Sequence, residues 1–280
     1  MSATWLTVDF DDVRHIPSFY GHPTRSQHTY DSIIDSGLQE TLSEKFVQGM
    51  RGFSTWLETN THPVTVFVIG DLFLSQQFEQ WFSELLEKYP SRITVGCHGW
   101  SHKSWSAWPK DIEGFTADLG KATEVIAKYS NDSFRPWFRA PGGYIAPWMA
   151  PILAEQGYVL DTSINPSWLV KRKAGKGNSW QDIAIALKQN SIVSRPWKTH
   201  WRLPMNGPAL SLFPLSLIAK SGWRKLPLPF TEATLEPALS SQDSNITTVY
   251  WHLLDHARSN GKWLPPLKFN KIRVWKSSDS

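Results

Sequence analysis

Leu6-Thr7-Val8-Asp9-Phe10-Asp11-Asp12 is the stretch on which the fold turns. Its first five residues have the β-branched and aromatic content of a short strand, and the strand runs straight into two carboxylates. The same arrangement recurs down the chain. Val64 to Ile69 is an uninterrupted β-branched and aromatic run, suited to a strand buried on both faces, and Gly70-Asp71 ends it. Ile93-Thr94-Val95 leads through Gly96-Cys97 to His98, Phe134 to Phe138 leads to Arg139, Tyr158-Val159-Leu160 leads to Asp161, and Thr247 to Trp251 leads to His252.

Helical spacing fills the gaps between these runs. Leu38, Leu42, Phe46, Met50, Phe53 and Leu57 recur three or four apart and predict a helix over 38–59. Phe78, Phe82 and Leu85-Leu86 predict another over 75–89, and further helices are expected at 111–129, near 147–156, at 180–189 and at 211–220. Strands alternating with helices imply parallel β/α units. Five strands stop at Asp11-Asp12, His98, Arg139, Asp161 and His252, and barrels of β/α units build their active sites at the strands' C-terminal ends. Residues 165–245 are less regular and hold Pro196, Pro204, Pro208, Pro214, Pro227 and Pro229, which predicts long loops.

No linker, acidic block or repeat divides the 280 residues, so a single domain is expected, with a core at about 4–256 and a C-terminal extension at 257–280. The 29 Lys+Arg against 25 Asp+Glu give a net charge of +4, too mild and too dispersed for a nucleic-acid binder. The densest basic run, Lys171-Arg172-Lys173 with Lys176, reads as a solvated loop or as a contact for an anionic substrate or membrane surface. One cysteine, Cys97, excludes an intrachain disulfide and fits a reducing compartment. Met1 to Leu6 lacks the basic segment and apolar stretch of a signal peptide, and no apolar run approaches the ~20 residues that span a bilayer. A cytoplasmic protein is the expectation. Ala209-Leu210-Ser211-Leu212-Phe213-Pro214-Leu215 and Trp223-Arg224-Lys225-Leu226-Pro227 mix apolar with basic side chains. They read either as core under long loops or as peripheral contact with an anionic membrane.

The polar strand ends hold the candidate chemistry. His98 and His102 are four residues apart and would share a face on one helical turn, able to bind one metal ion. Asp11-Asp12 supplies carboxylates that are costly to ionise in a buried place unless a cation or a donor compensates. One of them can bind metal while the other takes a proton, although for the pair in isolation a helix cap followed by a solvated acid is the favoured reading. Arg139-Ala140-Pro141-Gly142-Gly143 combines a fixed cation, able to hold a carboxylate, with glycines that let the backbone approach a ligand; a plain turn is the alternative. His252 reads as an acid or as a core histidine.

Taken together these segments resemble the polysaccharide deacetylase family, also called the NodB-homology or carbohydrate esterase 4 family. Phe10-Asp11-Asp12 is similar to its first motif, His98-Gly99-Trp100-Ser101-His102 to its paired metal histidines, Phe138-Arg139-Ala140-Pro141-Gly142-Gly143 to its arginine motif, and Tyr250-Trp251-His252 to its last motif. The resemblance implies a distorted, incomplete (β/α) barrel of about seven strands. It also implies that Asp12, His98 and His102 hold a divalent ion (zinc by default, with cobalt, nickel or iron as alternatives). Asp11 would be the base, Arg139 its partner and His252 the acid. The implied reaction is removal of an N-acetyl or O-acetyl group from a sugar of a glycan or of its nucleotide- or lipid-linked precursor.

The chain departs from the family in two places. Val13 stands where the family usually has glycine after the paired aspartates. Asp161-Thr162-Ser163-Ile164, with Asp161 counted among the catalytic positions, resembles the Asp-Ser-Ser-Ile segment of a branch found in exopolysaccharide synthesis and in metal-independent allantoinase-like relatives. An allantoinase-like hydrolase of a small amide and a non-catalytic glycan-binding module are the rival expectations.

Overall fold

The computed structural model describes residues 3–241 and 245–268, so residues 269–280 of the expected C-terminal extension lie outside the described residues. In chain order the elements that position the site are β1 (Ala3–Phe10), α1 (Tyr30–Asp35), α2 (Glu44–Thr59), β2 (Val64–Val68), α3 (Gln76–Lys88), β3 (Ile93–Cys97), α4 (Ile112–Ser130), β4 (Phe134–Phe138), α5 (Met149–Glu155), β5 (Leu160–Asp161), α6 (Trp180–Gln189), β6 (Val193–Ser194), β7 (Thr199–His200), β8 (Leu203–Pro204), α7 (Leu215–Trp223), α8 (Glu232–Ser240) and β9 (Ile246–His252). Seven strands form one sheet in the order β6-β5-β4-β3-β2-β1-β9, and β7 and β8 pair as a small antiparallel ribbon. Every ladder of the large sheet is parallel. The sheet curls into a half-barrel, the incomplete (β/α) barrel expected from the sequence. The segment that follows β6 meets β9 through a parallel bridge of Trp197 to Thr248 and the bond from Lys198 N–H to the Thr248 carbonyl at 2.8 Å.

The period of two along β1 sorts its side chains. Leu6, Val8 and Phe10 belong to the larger hydrophobic core between the sheet and the helices, with Phe46, Phe53, Phe78 and Phe82. Phe10 meets Phe53 edge-on at 5.4 Å between ring centres. Trp5 belongs to the smaller core with Phe67, Trp137, Leu160 and the α8 residues Leu235 and Leu239, and its indole N–H donates to Thr65 Oγ1 at 2.7 Å. Thr7 and Asp9 share the Trp5 face, where both reach Arg139.

Several boundaries differ from those the spacing predicts. The helix expected from residue 38 begins at Glu44, because Ser43 Oγ accepts the Phe46 amide as an N-cap and Gly37 turns the chain at a φ of +67°. The helix expected at 211–220 starts only at Leu215, beyond Pro214. Helices α1 and α8, the latter with Pro237 inside it, carry little apolar periodicity and were not expected. Among the described residues no helix is long and apolar enough to cross a membrane.

Candidate active site

The C-terminal ends of β1, β3 and β9 open onto a cleft of about 520 Å³. Asp9, Asp11, His98, His102, His252 and Asp255 line it; Asp12 does not.

Asp12 sits at the N-terminus of a single 3-10 turn, Val13–His15, and caps it. Its carboxylate accepts from Val13 N–H at 2.5 Å, Arg14 Nη1 at 3.2 Å, Ser43 N–H at 2.9 Å and the Ser43 hydroxyl. His15 Nδ1 accepts the Asp12 amide at 2.9 Å, so its Nε2 carries the proton that Asp71 accepts at 2.8 Å. Arg14 Nη2 joins the same Asp71 oxygen at 3.0 Å. Burial works to raise the Asp71 pKa, but His15 and Arg14 hold it below the ordinary carboxylate range. This closed network ties the first loop to the end of β2.

His98 and His102 are not on a helix. His98 prolongs β3, with its amide donating to Val68 O at 2.8 Å. The chain then turns through Gly99 and His102, both at positive φ (+79° and +64°). Gly99 and Trp100 carbonyls accept the Gly70 and Asp71 amides, and Asp118 accepts the Trp100 amide, which pins the turn from two sides. The two imidazoles lie 5.1 Å apart between ring centres. A carbonyl can only accept, so the 2.7 Å contact of His98 Nδ1 with Arg139 O places the proton on Nδ1 and leaves the Nε2 lone pair open. Burial pushes the His98 pKa down to about 4 and that of His102 well below its usual value, so both rings are neutral at working pH. His102 Nδ1 is buried without a hydrogen-bond partner.

Two neutral imidazoles, one with a free lone pair and one with an orphaned nitrogen, fit half of a zinc site. The third expected ligand does not, because the Asp12 oxygens are already engaged by four donors. The carboxylate nearest His98 Nε2 is Asp9, at 3.9 Å from its Oδ2. Among the described residues no three His, Cys, Asp or Glu side chains are grouped to hold an ion.

Arg139 is fully buried and pairs with Asp9, not with Asp11. It also donates to Thr7 Oγ1 at 2.8 Å and Thr162 O at 3.2 Å, and its guanidinium lies 4.2 Å from the centre of the Phe67 ring. Asp9 was legible only as a strand residue, although its place two before Asp11 on the β1 alternation is the signal that sets it on the inner face. Asp161 stands off the cleft wall. It accepts the Ser163 hydroxyl at 2.6 Å, whose oxygen accepts the Ala140 amide at 2.8 Å, so it positions the Arg139–Gly143 segment and is not among the residues lining the cleft. Burial raises its pKa to about 7.

Asp11 and His252 share the cleft and act on one another electrostatically. Asp11 is buried, and its Oδ1 has no hydrogen-bond partner. Burial lifts its pKa to about 7 against the pull of His252. For His252 burial opposes the charged ring, but Asp11 and Asp255 outweigh it and lift the pKa to about 9. Asp255 Oδ2 accepts the His252 amide at 2.9 Å, with His252 Nδ1 at 3.7 Å, and Asp255 Oδ1 pairs with Arg258 at 2.7 Å. Gly207 also lies against the His252 ring. Its φ is +51°, and a Cβ there would come within 2.8 Å of His252 Cε1, so only glycine lets the 206–208 loop close over this histidine. Neither Asp255 nor Gly207 was singled out as a site residue by sequence; an aspartate three residues after a strand-end histidine carries no distinctive signal.

The polysaccharide deacetylase family model matches residues 45–160, a span that includes His98, His102 and Arg139 but neither Asp11 nor His252. No curated protein matches the chain. Among solved structures, one described as a polysaccharide deacetylase from Mycobacterium smegmatis superposes with a TM-score of 0.54 at 15% identity, covering 93% of this chain and 79% of that one. Puue allantoinase superposes with a TM-score of 0.52 at 9% identity, covering 93% and 80%. At these identities the two structures share the fold.

Proposed function

We propose, from the match of residues 45–160 to the polysaccharide deacetylase family model, that this chain hydrolyses the N-acetyl group of a sugar, with Asp11 as base and His252 as acid. The observation that carries the reading is the opposed tuning of these two groups in one cleft, a carboxyl near 7 and an imidazole near 9. Between those values Asp11 is ionised and His252 protonated. Asp11 takes a proton from water as its oxygen adds to the acetamide carbonyl carbon. His252 gives its proton to the sugar nitrogen, the C–N bond breaks, and acetate and an amino sugar leave. Asp255 holds the His252 ring and compensates its charge. The Asp9–Arg139 pair braces β1 against β4 beneath the reacting groups.

A divalent ion, zinc in the first instance, would polarise the carbonyl and acidify the water. His98 and His102 are prepared to bind it, whereas Asp12 is not, so no step here depends on it. Release of acetate from an N-acetylated sugar, abolished in both Asp11→Asn and His252→Ala, tests the reading; acetate release that survives in both variants would refute it.

The same reading extends to where the substrate is met. Leu212, Phe213 and Leu217 are 56%, 82% and 61% exposed, and Leu212 also lines the cleft. Lys220, Arg224 and Lys225 follow them on the surface. Apolar side chains interleaved with cations suit an anionic lipid surface, with the bulky groups in the interface and the cations against head groups. A cytoplasmic enzyme seated in this way would take a lipid-linked sugar at its cleft.

A further inference from the structure

The cleft holds more positive charge than its acids require. Each of its carboxylates has a cation of its own: Arg139 for Asp9, His252 for Asp11, and Arg258 for Asp255. Arg25, Lys45 and Lys173 also line it, and among the described residues none of these three has a carboxylate partner.

Lys173 is the informative one. The basic run it belongs to splits, with Lys171 and Arg172 exposed while Lys173 turns inward. Its ammonium donates to the Gly142 carbonyl at 2.6 Å and lies 5.1 Å from the centre of the Tyr144 ring. Two of its three donors remain open. Burial and then Arg25 lower its pKa to about 8, and Arg25 lines the same cleft. A half-buried ammonium facing a like charge, with no acid to offset it, is a costly arrangement that an anion would relieve. The place is next to the reacting groups, because Gly142 packs toward His102 and Lys173 lines the same cleft as Asp11 and His252.

We propose that Arg25 and Lys173 form a phosphate site, so that the acylated sugar bears a phosphate ester close to its acyl group. This rests on the deacylase reading above. An arginine fork beside a lysine point charge is suited to the three outer oxygens of a phosphate. The phosphate has two sources, a nucleoside diphosphate or a lipid carrier, and the shared chemistry at the site is the same.

The test compares N-acetylglucosamine with its 1-phosphate, and then a nucleoside diphosphate ester with a polyprenyl phosphate ester in mixed micelles. Wild type should favour the phosphorylated sugar in kcat/KM by roughly 10- to 100-fold, the range of charge-assisted hydrogen bonds. That ratio should fall by about tenfold in Lys173→Met and in the exposed Arg25→Ala, the second guarding against a folding defect in the first. The polyprenyl and nucleotide arms then identify the source by which phosphate ester is turned over faster. An unchanged ratio in Arg25→Ala and Lys173→Met, or no preference in wild type, would overturn the proposal. Calorimetric binding of the sugar 1-phosphate, weakened in both variants, upholds the site even if no acetate is released, whereas no binding overturns the site and leaves the deacylase reading standing.

Discussion

Asp9→Asn should be among the most destabilising conservative changes in this protein. The variant keeps shape and volume but removes the carboxylate ion-paired with Arg139, a side chain with no solvent exposure. Its bonds to Thr7 and Thr162 are to neutral oxygens and cannot neutralise it. Removing one partner of a buried ion pair strands the other charge at a cost of about 3–5 kcal/mol. That is a large part of the ~5–15 kcal/mol that holds a domain together. For a chain of this size it corresponds to a fall of roughly 10 °C in Tm. Asp12→Asn is the control. Asparagine caps a turn as well as aspartate does, and Arg14 retains Asp71, so the loss should stay near ~1–2 kcal/mol. Urea and thermal unfolding of Asp9→Asn, Arg139→Met and the double variant complete a cycle in which the double loses much less than the sum. A coupling below ~0.5 kcal/mol, or a larger loss in Asp12→Asn than in Asp9→Asn, would refute the pairing.

Four further outcomes are expected. The kcat/KM profile should be a bell, because activity needs Asp11 deprotonated and His252 protonated; it rises through about 7 and falls through about 9, and a flat profile between 6 and 8 removes Asp11 from the base role. Asp11→Asn should lower kcat by ~10²–10⁴. For bound zinc measured by elemental analysis, His98→Ala and His102→Ala should lose the ion and Asp12→Asn should keep it; loss in Asp12→Asn would restore that carboxylate to the ligand set. Phe213→Ser should release the protein from anionic vesicles sedimented at low salt, and a wild type that stays in the supernatant would end the membrane reading.

The barrel was legible because strand-end polarity and helical spacing are both local. Val64 to Ile69 and Thr247 to Trp251 could hardly be anything but buried strands, and both took their places in the sheet. What local patterns left ambiguous was which of three aspartates does what. Asp9, Asp11 and Asp12 are indistinguishable by composition, and the adjacent pair attracts the eye. Strand alternation separates them: Asp9 and Asp11 follow Trp5 and Thr7 on one face, while Asp12 falls with Phe10 on the other, where Ser43 and Arg14 collect it. Lys173 shows the converse limit. Nothing in Lys171-Arg172-Lys173 tells which cation turns inward, since that is decided by Gly142 and Tyr144, thirty residues away in sequence.

An unclosed barrel has two free edges, and free edges are where proteins of this kind would recruit one another strand by strand. Here neither edge offers a usable template. β6 is only two residues long, too short to seed pairing, and the Trp197–Lys198 segment already occupies backbone positions along β9. The opening at one end of the sheet therefore does not expose the chain to edge-to-edge self-association.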